Sequence, residues 1–348
     1  MDILALTFDE LIAAMQPPCR EVPRLRRAYK RAVRAETPHD PLEVHLAPVV
    51  REVRDGELTK FVQRLPDGLE TESVLVPMQG RHREWKSVCI STQIGCAMGC
   101  TYCETGRLGF RRSLTAGEIV GQVVAARRVL GTRADTLRNV VFMGMGEPFN
   151  NFDNVVQAVR VLCDQSGLSI GKPRITISTV GRIAGIRRLG ELRWLRLNLA
   201  VSLNAPNDEI RSKIMPVNRT EPMAALREAL RAFPLRRCGF IMIEYVLIPG
   251  VNDAREHARE LADYLKPIPC CVNVIPYNPR RESPWPAPTD ESVLRFLDWL
   301  QEAGQFCKRR ITKGRDRMAA CGQLGNPTLA RVPLAGDGGF IGSCGPRG

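Results

Sequence analysis

Cys96, Cys100 and Cys103 fall within one short stretch, Cys96-Ala-Met-Gly-Cys100-Thr-Tyr-Cys103. The spacing is C-x3-C-x2-C, with no fourth cysteine at metal-ligand distance along the chain. Three thiolates hold three irons of a four-iron, four-sulfur cube and leave the fourth iron open to a substrate or cofactor, whereas a closed four-cysteine site carries electrons or braces the fold. The spacing therefore points to chemistry. Two other readings stay open at this stage. The three thiols could belong to a zinc tetrahedron completed by a distant His or Cys, or they could be core thiols, since free Cys is often buried. Core cysteines do not normally cluster on a turn flanked by Gly95, Gly99 and Gly106.

Other groups suited to a site lie further on. Met143-Gly144-Met145-Gly146-Glu147-Pro148 offers backbone that a ligand can approach closely, and a carboxylate able to accept hydrogen bonds from an ammonium group. Ser178-Thr179, Ser202-Leu203-Asn204 and Pro276-Tyr277-Asn278-Pro279 supply small polar side chains suited to a ribose and a carboxylate. Each of these alone is equally well an ordinary turn. Cys89 lies just upstream of the cysteine triplet. Cys321 lies in Met318-Ala319-Ala320-Cys321-Gly322-Gln323-Leu324, a small-residue loop that suits an exposed, mobile nucleophile. By composition either cysteine could be idle.

The elements that must position these groups read as α/β. Residues 1–40 read as helical and basic, with Arg27, Arg31 and Arg34 on one helix face, either an RNA-contacting stripe or a solvated face. Residues 42–78 read as a small antiparallel sheet, with turns at Asp55-Gly56 and Pro66-Asp67-Gly68, followed by a polar linker from Gly80 to Lys86. From residue 86, six apolar runs (KSVCIST, NVVFMGM, RITIST, LRLNLAVSL, FIMIEYVLI and CVNVIP) alternate with helical patterns near 116–131, 153–165, 182–190, 207–232, 254–266 and 289–304. Thr115 and Glu118 form a capping box at the start of the first of these helices. Strands interleaved with helices predict a parallel sheet, doubly wound or curled into a barrel, with its site at the carboxyl ends of the strands. The cysteine triplet follows the first such strand. The Gly/Pro-rich tail after Gln323 is expected to be poorly ordered.

Composition narrows the function classes. The chain has 348 residues and 12 cysteines, scattered apart from the triplet, which is unlike the disulfide scaffold of a small secreted domain. The opening MDILALTFDELIAAM has early acids and no basic start, so no signal peptide is expected, and no run of 18 apolar residues suggests a membrane span. A reducing, cytoplasmic setting is expected. The net charge is +13, and 8 of the 50 basic residues are Lys, leaving 42 Arg. That surplus suits a polyanion such as RNA, and Arg forks bind phosphate and stack on bases.

Taken together, CISTQIGCAMGCTYCETG, FMGMGEP, ITIST, AVSLNAPND, IEYVLIPGVND, VNVIPYNP and AACGQL resemble the RlmN/Cfr family of radical S-adenosylmethionine (SAM) RNA adenine methyltransferases, over roughly residues 70–324. CISTQIGC and PGVND lean towards Cfr, and the first 65 residues match poorly. The resemblance implies a radical SAM partial (β/α)6 barrel over 86–315, a small N-terminal α+β accessory domain over 1–85, and a catalytic-cysteine loop with a tail over 316–348. It also implies ligation of one 4Fe-4S cluster by Cys96, Cys100 and Cys103. SAM contacts are implied for Gly146, Glu147, Ser178, Ser202, Leu203, Asn204 and Asn278. Cys321 matches the S-methylated cysteine, Cys89 the second catalytic cysteine and Glu72 the proton acceptor. The implied reaction uses two SAM molecules per turnover to methylate adenine C2 or C8 of 23S rRNA, and of tRNA. One SAM methylates Cys321, and a radical made from the other activates that methyl group for addition to the ring. The expected partners are RNA and an electron donor, with a monomeric protein and no membrane. Asn204 stands where the family commonly has His, Glu104 where a small residue is usual, and the stretch from Glu72 to Cys89 is longer than in typical members. The competing readings are a radical SAM enzyme for another substrate and an RNA-binding protein stapled by a metal, without turnover.

Overall fold

The computed structural model describes residues 2–34, 42, 44–80, 83–280, 282–311, 314 and 318–325. Two short helices open the chain, α1 (Phe8–Met15) and α2 (Val22–Val33). A Thr7–Glu10 capping box starts α1, and Gln16, in the left-handed region ahead of Pro17-Pro18, ends it. The helical stretch expected over 1–40 is therefore two helices broken at the prolines, and residues 35–40 lie outside the described residues. The expected arginine face is also divided: Arg27 and Arg31 are exposed, but Arg34 Nε donates to the Gly167 carbonyl at 3.2 Å.

Then come β1 (Val49–Asp55), β2 (Leu58–Arg64), β3 (Glu70–Gln79) and β4 (Glu84–Cys89), each antiparallel to the one before. Around the cysteine triplet lie β5 (Gln93–Gly95), α3 (Glu104–Arg107) and β6 (Phe110–Ser113). The alternating part follows as α4 (Ala116–Leu130), β7 (Leu137–Phe142), α5 (Phe152–Cys163), β8 (Ile175–Thr179), α6 (Ile183–Glu191) and β9 (Asn198–Ser202). It continues through α7 (Asp208–Ile214), α8 (Met223–Ala232), β10 (Ile241–Leu247), α9 (Arg255–Leu265), β11 (Cys270–Pro276), α10 (Asp290–Glu302) and β12 (Cys307–Arg309).

Ten strands make one sheet in the order β1-β2-β3-β4-β7-β8-β9-β10-β11-β12, parallel from β4 onward. The six expected parallel strands are present, with the short β12 added at the edge. The helices between them pack apolar residues such as Ile119, Val123, Val159, Leu189, Leu226, Leu261 and Phe296 against the sheet. Each such side chain contributes about 1.5–3 kcal/mol relative to exposure. The helix expected over 207–232 is divided into α7 and α8 by Pro216 and Pro222, whose missing N–H groups cannot continue a helical ladder.

The small antiparallel sheet is not a separate body. β4 pairs with β3 on one side and with β7 on the other, so the accessory strands extend the barrel sheet. The polar stretch read as a linker is a hairpin: Gln79 faces Glu84 and the Gly80 N–H donates to the Arg83 carbonyl at 2.9 Å, with residues 81 and 82 outside the described residues. The 85/86 boundary thus falls inside a strand. The tail expected to be poorly ordered lies outside the described residues from 326 onward.

Register places the polar groups on one face. Cys89 pairs with Val74, and side chains directly opposite each other project from the same face. Glu72 lies two residues before Val74, and Lys60 pairs with Val74 from the other side. Lys60, Glu72 and Cys89 therefore share one face of three adjacent strands.

Candidate active site

The cysteine triplet sits on a loop held from several directions. The β5–β6 pair brackets it, and the Cys96 N–H donates to the Gly109 carbonyl at 2.9 Å. Gly95 has φ +72°, and a Cβ there would stand 1.8 Å from the Gly109 oxygen, so no other residue fits this entry to the loop. From outside, the Thr101 N–H donates to the Ile214 carbonyl at 3.0 Å and Arg280 Nε to the Thr101 carbonyl at 3.1 Å.

Cys96 and Cys100 are buried and Cys103 is half-buried, and all three are free. Burial pushes the Cys96 thiol up to about 12 and raises Cys100 and Cys103, and for Cys96 and Cys100 the neighbouring cysteines add to the shift. Opposing this, Cys103 receives hydrogen bonds from the Gly106 and Thr105 N–H groups and the Thr105 hydroxyl, Cys96 from the Met98 N–H, and Cys100 from Tyr102. Among the described residues, no three His, Cys, Asp or Glu side chains converge as ligands of a single ion would.

The Gly146 turn lies beside this loop. Gly146 has φ +96°, and a Cβ would meet Gln93 at 2.5 Å. Gly146→Ala is expected to lower stability by roughly 1–3 kcal/mol, as overpacked sites do, measured by thermal unfolding. Glu147 follows, almost fully buried, with the Phe149 N–H on Oε1 at 3.0 Å and the Val180 N–H on Oε2 at 2.8 Å. Burial pushes its carboxyl up to about 7 despite those two backbone bonds. Ser178 on β8 and Ser202 on β9 are half-buried near the ends of neighbouring strands.

Leu203 and Asn204 follow Ser202 directly after β9. The Leu203 side chain is fully buried, its N–H donates to the Glu244 carbonyl at 3.1 Å, and its carbonyl accepts from Arg211 Nε at 3.2 Å. Asn204 takes the left-handed region at φ +58°. Its Nδ2 donates to the Tyr102 hydroxyl at 2.6 Å, and its Oδ1 accepts from the Val246 N–H at 2.9 Å. Since Tyr102 bonds Cys100, Asn204 acts on the cysteine loop through Tyr102.

The Cys321 loop lies against the same region. The Glu104 N–H donates to the Gly322 carbonyl at 2.8 Å, Thr105 Oγ1 to the Leu324 carbonyl at 2.5 Å, and Asn278 Nδ2 to the Cys321 carbonyl at 3.3 Å. Glu72, buried, accepts from the Gly325 N–H at 2.9 Å. Glu104 is buried too, and its Oε2 lies 3.9 Å from Arg107 Nη1. Cys89 and Cys321 come together although they are remote in sequence. Burial, and the nearby Cys321, push the Cys89 thiol up to about 12, and Arg310 pulls against this shift. Cys321 and Cys89 in turn favour the charged form of Arg310. Arg310 Nη1 also bonds Glu244 Oε2 at 3.3 Å, and Glu244 Oε1 accepts from Asn273 Nδ2 at 2.9 Å. Both cysteines are free thiols here.

Comparison with known proteins fits this geometry. The radical SAM superfamily profile matches residues 90–264. A protein named dual-specificity RNA methyltransferase RlmN, from Nitratidesulfovibrio vulgaris, is 42% identical over 357 aligned residues, covering 95% of this chain and 96% of that protein. The chain belongs to the RlmN family of radical SAM methyltransferases. A probable RlmN from Protochlamydia amoebophila is 45% identical over 284 residues, covering 82% of this chain and 77% of its own length. A crystal structure of a radical SAM methyltransferase from Sphaerobacter thermophilus superposes with a TM-score of 0.84 at 38% identity, covering 93% of this chain and 98% of the other. The Nitratidesulfovibrio and Protochlamydia relatives carry the RlmN name rather than Cfr, and the alignment with the former covers 95% of this chain, so it extends into the N-terminal residues that the motifs alone left unmatched.

As a radical SAM enzyme the chain uses a 4Fe-4S cluster and SAM. Its residues fit that cluster. Three thiols, two buried and one half-buried, that resist ionisation together become stable as thiolates when irons take up their charge, and N–H groups already point at two of the sulfurs. Lys60, Glu244, Arg211 and Arg310 were not found by motif. Only Glu244, a charge inside the apolar run Ile-Met-Ile-Glu-Tyr, left a signal in the sequence.

Proposed function

We propose that this protein methylates a ring carbon, C2 or C8, of an adenine in 23S rRNA and in tRNA, through a methyl group carried on Cys321. The observation that carries the reading is the meeting of Cys89 and Cys321 around one guanidinium, with the Cys321 loop bonded directly to the cysteine-triplet loop. Cys96, Cys100 and Cys103 would hold the cluster, and Gly146, Glu147, Ser178, Ser202, Leu203, Asn204 and Asn278 would seat SAM.

An adenine C2 or C8 is too poor a nucleophile to take a methyl group directly. The cluster with SAM supplies a carbon radical able to remove a hydrogen atom from an unactivated methyl group. Cys321 is the nucleophile that accepts a methyl group from SAM. Its S-methyl carbon, once short of a hydrogen atom, bonds to the ring and leaves RNA joined to the loop. The odd electron left on the ring by this addition would return to the cluster, and Glu72 takes the proton from the substituted ring carbon. Cys89, as a thiolate, then attacks the Cys321 sulfur, a disulfide forms as the sulfur–carbon bond breaks, and the freed carbon takes up a proton, so that the RNA departs with a methyl group. A reductant for the disulfide and an electron donor complete the cycle, and the protein acts as a monomer.

The target base must leave its stack to reach this site. Helix α2 exposes Arg24, Arg26, Arg27, Lys30 and Arg31, and the net charge of +13 suits a structured RNA. Among the described residues no helix is long and apolar enough to cross a membrane. A cytoplasmic setting follows from the RNA substrate.

Glu147 gives this reading a pH signature. Below about 7 the carboxyl is protonated in the ligand-free site, and only its ionised form pairs with the SAM ammonium. SAM affinity is expected to rise with pH, about tenfold per unit below that value, and to level off above it. Calorimetric titration across pH checks this, and Glu147→Gln should flatten the profile. The function is tested by incubating reduced, cluster-loaded protein with methyl-labelled SAM and 23S rRNA or tRNA, then digesting to nucleosides. Methyladenosine with a carbon-bound label is expected. Label on neither RNA, in protein with an intact cluster, favours another substrate or no turnover.

A further inference from the structure

We propose that Lys60 is a positioning residue that holds Glu72 and the Cys321 loop in a single arrangement, and that proton uptake by Glu72 releases the loop. The inference rests on the reading of Glu72 as base and Cys321 as methyl carrier. It starts from a buried cation that the chemistry above leaves unused.

Lys60 is only 8% exposed, in the middle of β2. Its Nζ lies 2.9 Å from Glu72 Oε2 and donates to the Met318 carbonyl at 3.0 Å. The same Glu72 oxygen accepts the Gly325 N–H. One ion pair therefore ties both ends of the 318–325 segment, Met318 through Lys60 and Gly325 through Glu72, beside the bonds that Glu104, Thr105 and Asn278 make to the residues between. A buried ammonium facing a buried carboxylate is not a solvated surface pair. Removing either partner strands a charge.

The consequence concerns timing. While Glu72 is ionised, charge-assisted bonds hold both ends of the loop and keep Cys321 beside the cysteine triplet. When the ring C–H bond breaks and its proton bonds to Glu72, the carboxyl becomes neutral. Lys60 loses its counter-charge, and the Gly325 bond drops to neutral strength, about half that of a charge-assisted one. Both ends loosen together, at the step where the Cys321 sulfur must give up the ring-bound carbon to the attack of Cys89.

Hydrogen exchange on the full chain, read by mass spectrometry without RNA, tests the clamp. In Lys60→Met and in Glu72→Gln, amide exchange over 318–325 is expected to speed up by about ten- to a hundredfold, the loss of a hydrogen bond to a charged group. Lys60→Arg should restore protection. The neutral double variant Lys60→Met/Glu72→Gln strands no charge, so it keeps the fold and should still free the loop. In turnover, Lys60→Met should lower kcat while leaving KM for RNA in place, with Lys60→Arg recovering kcat. Loop protection at the wild-type level in the double variant overturns the clamp. A freed loop with wild-type kcat in Lys60→Met overturns the positioning role, and wild-type protection in Glu72→Gln overturns release by protonation. If Glu72→Gln frees the loop yet methylates RNA fully, the reading of Glu72 as base fails while the clamp stands.

Discussion

Cys89→Ala should leave RNA covalently joined to the protein. The variant keeps Cys321, the cluster ligands and Glu72, so methyl loading, ring addition and proton removal all proceed. The thiol that attacks Cys321 is missing, and the adduct cannot resolve. Turnover should fall by at least about a thousandfold, as when a group acting on a covalent intermediate is removed. A denaturing gel should show an RNA-bearing species that nuclease trims to protein with a nucleotide remnant on Cys321. The geometry supports this division of labour. Cys89 is fixed on a strand and its thiol is pushed up to about 12, whereas Cys321 is half-buried on a loop held by hydrogen bonds and by the buried Ala319 and Leu324. A buried thiol of that kind is a poor first nucleophile for SAM but suits attack late in the cycle, once Cys321 is bonded to carbon and no longer sets a second thiolate against it.

Cys321→Ala should abolish RNA methylation to background, a loss on the order of a thousandfold or more, without any adduct. The cysteine-triplet loop keeps its β5–β6 bracket and its contacts to Ile214 and Arg280, so the cluster should load normally. Reductive cleavage of SAM should persist, uncoupled from methylation. Iron content, the visible spectrum and 5′-deoxyadenosine release distinguish this from collapse of the site. Full methylation by the variant would point to a methyltransferase that passes its methyl group by another route.

Much of this site is local in the chain and was therefore legible. The Cys96–Cys103 spacing, Gly146-Glu147 at a strand end and the Thr115–Glu118 capping box each depend on neighbours in sequence, and the capping box forms as read. The apolar runs and helical patterns located six parallel strands because strands buried on both faces leave short continuous apolar runs and amphipathic helices a periodic one. What was not legible is tertiary. Lys60 reads as one more basic residue in KFVQRL until β2 and β3 pair and turn it onto Glu72. Arg211 reads as a surface charge in a short helix, yet it is fully buried and donates to the Leu203 and Val180 carbonyls and to Asn218. Arg310 takes on meaning only when β12 docks beside β11 and sets it near two cysteines. The fusion of the accessory strands with the barrel sheet was missed for a similar reason. A run of polar residues between strands reads as a linker whether it spans two bodies or turns a hairpin.

The path of the methyl group is the central claim, and SAM bearing a trideuterated methyl group tests it most directly. If the methyl group is carried on Cys321 and loses a hydrogen atom before joining the ring, the methyladenosine recovered from RNA retains two of the three deuterium atoms and gains one ordinary hydrogen. Intact transfer of all three deuterium atoms would contradict the account, because it requires the methyl group to pass to RNA without ever being opened on the cysteine.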